Sequence, residues 1–211
     1  MTSRTDYQRL ANNEALMNYP EYADRFKSIK KLERMFREEK VEWALAYSTD
    51  LFIRGLIDDF HDLDVWVQDD IDTERFEKIL VNYGIEIVST ANDQIFTTEA
   101  FYTCKDLDTG IQVEFIIKFG MKVNQICYNY LVKDRIDYFR IGNISLPVVN
   151  ICDLYILYAI LEDSWQPKRR YKRKLIENYI KDNLSPIQFK LGKDVQFPEW
   201  IWNKINLLIK G

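Results

Sequence analysis

The sequence holds a single histidine, His61. That excludes any mechanism built on a histidine pair and any His-rich zinc site, so chemistry here has to run on carboxylates, hydroxyls, lysines and arginines. Three cysteines, Cys104, Cys127 and Cys152, are far apart and form no C-x-x-C pair. An odd count in that spacing argues against a disulfide framework and against a zinc knuckle, and reads as buried thiols. With 7 glycines and 5 prolines, collagen-like and low-complexity architectures are excluded. No run of about eighteen apolar residues exists, so no membrane span is expected. The start, Met1-Thr2-Ser3-Arg4-Thr5-Asp6, has no apolar segment of the kind a secretory signal needs, and a cytoplasmic location is expected. Basic charge is not in excess either: 29 lysines and arginines face 33 acids, so no overall field draws in nucleic acid.

What is plentiful is apolar and aromatic surface. Apolar residues are 47% of the 211, too many for a disordered chain, and 13 tyrosines, 12 phenylalanines and 5 tryptophans supply bulk for a sizeable core. From Pro20, the residues Tyr22, Phe26, Ile29, Leu32, Met35 and Phe36 recur at steps of three and four, one apolar stripe on a helix. Lys27, Lys31, Glu38 and Glu39 are expected on its other face. Val41 to Ala46 reads as a strand, Tyr47 to Gly55 as a turn and short helix closing on its glycine, and Asp62 to Val67 as a second strand. Asp69 to Tyr83 reads as a helix capped by Asp72 or Thr73 and closed by Gly84. Ile85 to Ser89, Phe96 to Cys104 and Ile111 to Phe119 follow as strands, the last two joined by the hairpin turn Asp106 to Gly110. Arg140 to Val148 is a further strand pair or edge strand. Asp153 to Leu161 and the basic run Lys168 to Asp182 are helices, and an apolar tail with Trp200 and Trp202 packs on the body.

The fold class is therefore α+β, with a mixed β-sheet and flanking helices. Residues 1–40 form a helical segment packing on a core of residues 41–149, and residues 150–211 form a C-terminal helical extension.

The acids in two of these strands carry the chemical argument. Asp62 and Asp64 are two apart on a strand and share one face. Side by side they repel unless something positive lies between them, and a divalent ion with a taste for oxygen resolves that. Glu114 sits in the middle of an otherwise apolar strand, with Gln112 and Ile116 on its face. If that strand neighbours the Asp62–Asp64 strand, three carboxylates converge as in a two-metal phosphoryl-transfer site. The plainer alternatives are a chance Asp-x-Asp and a glutamate paired with a surface lysine or arginine, in an α+β domain whose acids are coincidental. Ser48 and Thr49 lie where a strand runs into a helix, either as phosphate ligands or as a helix cap. Arg54 reads as a surface residue and His61 as a turn residue.

This ordered set resembles the nucleotidyltransferase fold of the DNA polymerase β superfamily. The family pattern is Gly-Ser, about ten residues, Asp-x-Asp, and a third acid on a later strand. Here Tyr47-Ser48 leads to His61-Asp62-Leu63-Asp64-Val65, and Ile111-Gln112-Val113-Glu114-Phe115 carries the third acid. The likeness covers about Leu32 to Ile180 and is nearest to small prokaryotic members of the superfamily. It implies that Asp62, Asp64 and Glu114 bind magnesium (Mg2+) ions and do the catalysis, with Glu114 assisting as general base. It implies that Ser48 holds the phosphates of a nucleoside triphosphate, with Thr49 beside it and Lys172 as the best-spaced lysine of the C-terminal helix. The activity implied is transfer of a nucleoside monophosphate from an NTP to an acceptor hydroxyl, a small molecule being favoured over nucleic acid. The departure is Tyr47, which stands where the family has glycine. A tyrosine there crowds the phosphates, stacks on a base or packs inward, and it favours the alternative of a catalytically impaired nucleotide-binding or partner-binding module.

Overall fold

The computed structural model describes residues 20–67, 71–90, 98–123, 126–129, 136–141, 143–164, 167–183 and 199–210. The first element is helix α1 (Pro20–Glu39), and its stripe is buried as the spacing requires: Phe26, Ile29, Leu32, Met35 and Phe36 all lie in the core. Strand β1 (Trp43–Leu45) runs into the seven-residue helix α2 (Tyr47–Ile53), after which Gly55 adopts a positive φ of 71° that turns the chain back. Strand β2 is Leu63–Val67, so Asp62 stands just before it. Helix α3 (Thr73–Asn82) starts where the Asp72 side chain accepts a hydrogen bond from the Arg75 N–H at 2.9 Å. Strands β3 (Ile85–Thr90), β4 (Ala100–Asp106) and β5 (Gln112–Ile117) follow. Then come a small separate hairpin of β6 (Gly120–Val123) and β7 (Ile126–Asn129), strands β8 (Ile136–Ile141) and β9 (Ile144–Val149), and helices α4 (Ile151–Ser164), α5 (Pro167–Asn183) and α6 (Glu199–Lys210).

The main sheet has seven strands in the order β3-β4-β5-β2-β1-β9-β8. Two of its pairings, β2 with β5 and β1 with β9, are parallel; the rest are antiparallel. Alternation along β2 sends Leu63, Val65 and Val67 to one side, into a core shared with α1 and α3. Trp66 goes to the other side, into a core built on α4 with Ile176 and Ile180 of α5 and Ile201, Ile205 and Leu208 of α6. Every residue of α4 from Ile151 to Leu161 is buried, in a run that is apolar except for Asp153.

Several expectations change in detail. β1 is three residues where six were expected, and α3 begins at Thr73 because Asp72 caps it. The C-terminal tail contains α6, a helix whose period is carried by Ile201, Ile205 and Leu208. The β6–β7 hairpin had no counterpart in the sequence reading. Lys31 is not on the solvent face of α1: its Nζ pairs with Asp106 at 2.6 Å and Asp108 at 2.7 Å. Ser28 adds 2.7 Å bonds to Asp106 and Thr109, so α1 clasps the β4–β5 turn. The segment before Pro20, the start of the expected strand at Phe96 and the side chain of Cys127 lie outside the described residues; Cys104 and Cys152 are buried free thiols. No helix among the described residues is long and apolar enough to cross a membrane.

Candidate active site

The parallel register of β2 and β5 sets Asp64 directly beside Glu114, fifty positions later in the chain. Asp62, two residues before Asp64, lies on the same side. Carboxylate oxygens of Asp62, Asp64 and Glu114 all come within 4.8 Å of one another. Asp64 is only 7% exposed. Burial first, then the negative charges of Asp62 and Glu114, pushes the Asp64 carboxyl well above the ordinary carboxylate range. Burial and the Asp62 charge raise Glu114 in the same sense, against a 3.1 Å hydrogen bond donated by the Gln112 amide. Three like charges held together, with Lys172 acting on Asp64 as one nearby cation, are a donor set of hard oxygens, and an oxygen-seeking divalent cation fits it.

The turn between β1 and α2 supports these acids. The Ala46 N–H donates to the Asp64 carbonyl at 2.9 Å, joining the turn to β2. Thr49 is fully buried, and its hydroxyl serves β2 on both sides of Leu63: it donates to the Asp62 carbonyl at 3.1 Å and accepts from the Asp64 N–H at 3.1 Å. Its hydroxyl is thus committed to the strand backbone. The Ser48 backbone N–H donates to the Asp64 carboxylate. The Ser48 hydroxyl accepts a 3.1 Å bond from Lys172 Nζ, so of the basic run on α5 it is Lys172 that reaches the turn. Lys172 also acts on Asp64 electrostatically, and Arg169, one turn earlier, acts on Tyr47 and Tyr158.

Tyr47 keeps the backbone conformation that a glycine favours, with φ at 44°. Its ring turns inward. It meets Trp66 edge-on at 5.7 Å, Phe119 at 6.4 Å and Tyr158 at 6.3 Å, where Trp66 and Phe119 are themselves stacked at 4.1 Å. Of the three outcomes open for a tyrosine at this position, packing inward is the one observed. Burial, followed by the negative charge of Asp64, pushes the phenol well up, so it keeps its proton.

Arg54 corrects the sequence reading outright. It is 2% exposed, donates to Asp50 at 2.6 Å, to Asp137 at 3.0 Å and to the Val149 carbonyl at 2.7 Å, and packs over the rings of Phe139 and Tyr179. It ties α2 to β8, β9 and α5. The one signal for this in the sequence is the i, i+4 spacing of Asp50 and Arg54. Arg169 belongs to the basic run of α5 from which the candidate lysine was drawn, while Tyr158 had no such signal, since it reaches Tyr47 through tertiary packing. His61 is exposed in the turn before β2, as expected.

Among solved structures, the chain is similar to TM1012 of Thermotoga maritima, a candidate nucleotidyltransferase. The TM-score is 0.54 at 17% identity, over 78% of this chain and 95% of that one. The fold is nucleotidyltransferase-like. The lincosamide antibiotic adenylyltransferase LnuA in its lincomycin-bound form superposes with a TM-score of 0.49 at 12% identity, over 72% of this chain and 95% of that one. JHP933 from Helicobacter pylori superposes at 0.48 and 9%, over 91% of each chain. No family model matches the sequence, and no curated protein does.

Proposed function

We propose that this protein is a magnesium-dependent nucleotidyltransferase that moves a nucleoside monophosphate from an NTP to an acceptor hydroxyl. The observation that carries the reading is the convergence of Asp62, Asp64 and Glu114 within 4.8 Å on a nucleotidyltransferase-like fold. Asp62, Asp64 and Glu114 would hold the metal, which when bound supplies charge neutralisation for the triphosphate and activates the acceptor oxygen. Glu114 lies nearest the solvent side of β5 among the apolar residues flanking it, and would take the proton of the acceptor hydroxyl as that oxygen attacks the α-phosphorus and pyrophosphate leaves. Lys172 and the Ser48 hydroxyl, already joined at 3.1 Å, would receive the phosphates. A small-molecule acceptor is favoured, because a chain of net charge -4 offers no general attraction to a polyanion. The inward ring of Tyr47 leaves the turn backbone as a glycine would, so it gives no support to an impaired nucleotide-binding module.

Calorimetry with ATP, GTP, CTP and UTP in the presence of magnesium tests this. Metal-dependent binding of at least one NTP, lost in an Asp62→Asn/Asp64→Asn variant, is the expected result, followed by transfer of label from that NTP to members of an acceptor panel. Absence of binding with all four nucleotides overturns the reading.

A further inference from the structure

The face of the sheet that carries the acids has two flanks. On one lie β1 and the turn to α2, where the Ser48 hydroxyl is held by Lys172 of α5. On the other lie β5, β4 and β3. Register partners on neighbouring strands share a face, so the row that begins at Asp64 runs on through Glu114 to Thr103 of β4 and Ser89 of β3. Alternation along the strands agrees. Tyr102, Cys104, Val113 and Phe115 are buried in the core shared with α1 and α3, which leaves Thr103 and Glu114 on the opposite side.

This second flank is open and built from hydrogen-bonding groups. Thr103 and Glu114 are half-buried, and Ser89, Gln112, Lys105 and Glu86 are exposed. The Thr103 hydroxyl has no hydrogen-bond partner among the described residues. The register of β3 shifts between Ile87 and Ser89, where Val88 is the extra residue, so a serine and not a valine stands opposite Thr103. In the next row Lys105 lies in register with Glu86 on one side and Gln112 on the other, so a cation and an anion balance there. Beyond the three acids, the flank offers hydroxyls and an amide and sets no net charge on what it meets.

Displacement at phosphorus puts the attacking and leaving oxygens roughly in line. With the phosphates at Ser48 and Lys172, pyrophosphate departs on the β1 flank, and the attacking oxygen arrives from the opposite one, over β5 and β4. In the row of Asp64 and Glu114, the next side chain on that path is Thr103.

We propose that the acceptor is a small, neutral, polyhydroxylated molecule that enters over β4, and that the Thr103 hydroxyl binds a hydroxyl next to the one that attacks. The attacking oxygen passes its proton to Glu114 and bonds to the α-phosphorus as the bond to pyrophosphate breaks. The inference rests on the nucleotidyltransferase reading and adds to it the acceptor's side of entry and a residue that holds it.

The test uses the whole chain with Mn2+ and either a non-hydrolysable ATP analogue or α-labelled NTPs. In Thr103→Cys, methyl methanethiosulfonate is expected to modify the introduced thiol at the same rate with and without Mn2+ and the analogue, followed by mass spectrometry, because the phosphates lie on the other flank. Shielding by the analogue overturns the proposal. Transfer of label is measured to a panel of neutral polyols, from glycerol to hexoses and disaccharides. Thr103→Val is expected to raise the KM of the labelled polyol about tenfold, the order of one hydrogen bond, with a much smaller change in kcat and in affinity for the analogue. Thr103→Ser, which keeps the hydroxyl, is expected to stay near wild type. An equal KM in Thr103→Val and wild type, or label on no polyol while the analogue binds, overturns the proposal and leaves the nucleotidyltransferase reading standing. A raised KM matched by weaker analogue binding and a lower melting temperature marks a structural role and also overturns it. A wild type that binds neither Mn2+ nor the analogue removes both.

Discussion

Thr49 shows how much one hydroxyl can decide. By spanning the Asp62 carbonyl and the Asp64 N–H it fixes the backbone of both acids to α2, and it does so from a fully buried position. Replacing it with valine keeps the shape but leaves the Asp64 N–H buried without that acceptor, at a cost of about 1–3 kcal/mol. Thr49→Val is expected to lower the free energy of unfolding by that amount, with a lower denaturant midpoint, and to weaken cation binding, while Thr49→Ser keeps both close to wild type. Chemical denaturation paired with a cation titration checks this; equal midpoints for valine and serine would show that the hydroxyl does not hold the strand. The adjacent Tyr47 makes the opposite bargain. Its left-handed φ costs roughly 1–2 kcal/mol in a residue other than glycine, which its aromatic contacts have to offset.

At the scale of elements, short-range patterns were readable and long-range ones were not. The stripe of α1, the cap at Asp72, the turn Asp106–Gly110 and the Asp-x-Asp strand are local, because each depends on residues a few positions apart. The convergence of Asp64 with Glu114 was conditional on two strands being neighbours, and the parallel register of β2 with β5 meets that condition. What local pattern did not show is what tertiary contact decides. Lys31 reads as a surface lysine because its partners lie 75 and 77 positions away, and Arg54 reads as one because Asp137 and the Val149 carbonyl lie 83 and 95 away. The clasp of α1 on the β4–β5 turn gives an element-scale prediction. Burial alone would raise Asp106, but hydrogen bonds from Lys31, Ser28 and the Asp108 N–H outweigh it and hold the carboxyl below the ordinary range. A depressed carboxyl stabilises the fold above its unfolded value and loses that contribution as pH falls through the folded one. Asp106→Asn is therefore expected to lower stability by about 1–3 kcal/mol at neutral pH, where it leaves Lys31 with the exposed Asp108 as its remaining ion-pair partner. The deficit should shrink toward the acid limit, where the wild type loses the same ion pair. Melting curves across pH for the two proteins would show it, and a deficit independent of pH would mean the lysine is not held by that charge.

Over the whole molecule the balance runs the other way. Asp64 and Glu114 are raised by burial and by their acidic neighbours, and on α2 burial outweighs the attraction of Arg54 and pushes Asp50 up to about 7. All three bind protons in the fold at pH values where the unfolded chain has released them. The cation-free protein therefore loses stability as pH rises from the ordinary carboxylate range through these raised values, and the loss levels off above them. Asp106 does not mask this, because its own transition lies below that range. A cation bound by Asp62, Asp64 and Glu114 binds the folded state alone and prefers the ionised acids, so it should act most strongly at the alkaline end. A saturating concentration near a hundred times the dissociation constant supplies about 2.7 kcal/mol there. The melting temperature without cation is thus expected to fall as pH rises from the ordinary carboxylate range through these raised values, Asp50 at about 7 among them, and magnesium is expected to restore more of it at pH 8 than at acid pH. Asp64→Asn removes the most buried of the like charges, so it should melt higher than wild type at pH 8 without cation and gain nothing from magnesium. Asp50→Asn should flatten part of the pH slope yet keep the full response to magnesium, which separates the Arg54 network from the metal site. A wild type whose melting temperature ignores magnesium at pH 8 would mean that the three carboxylates meet without serving a cation.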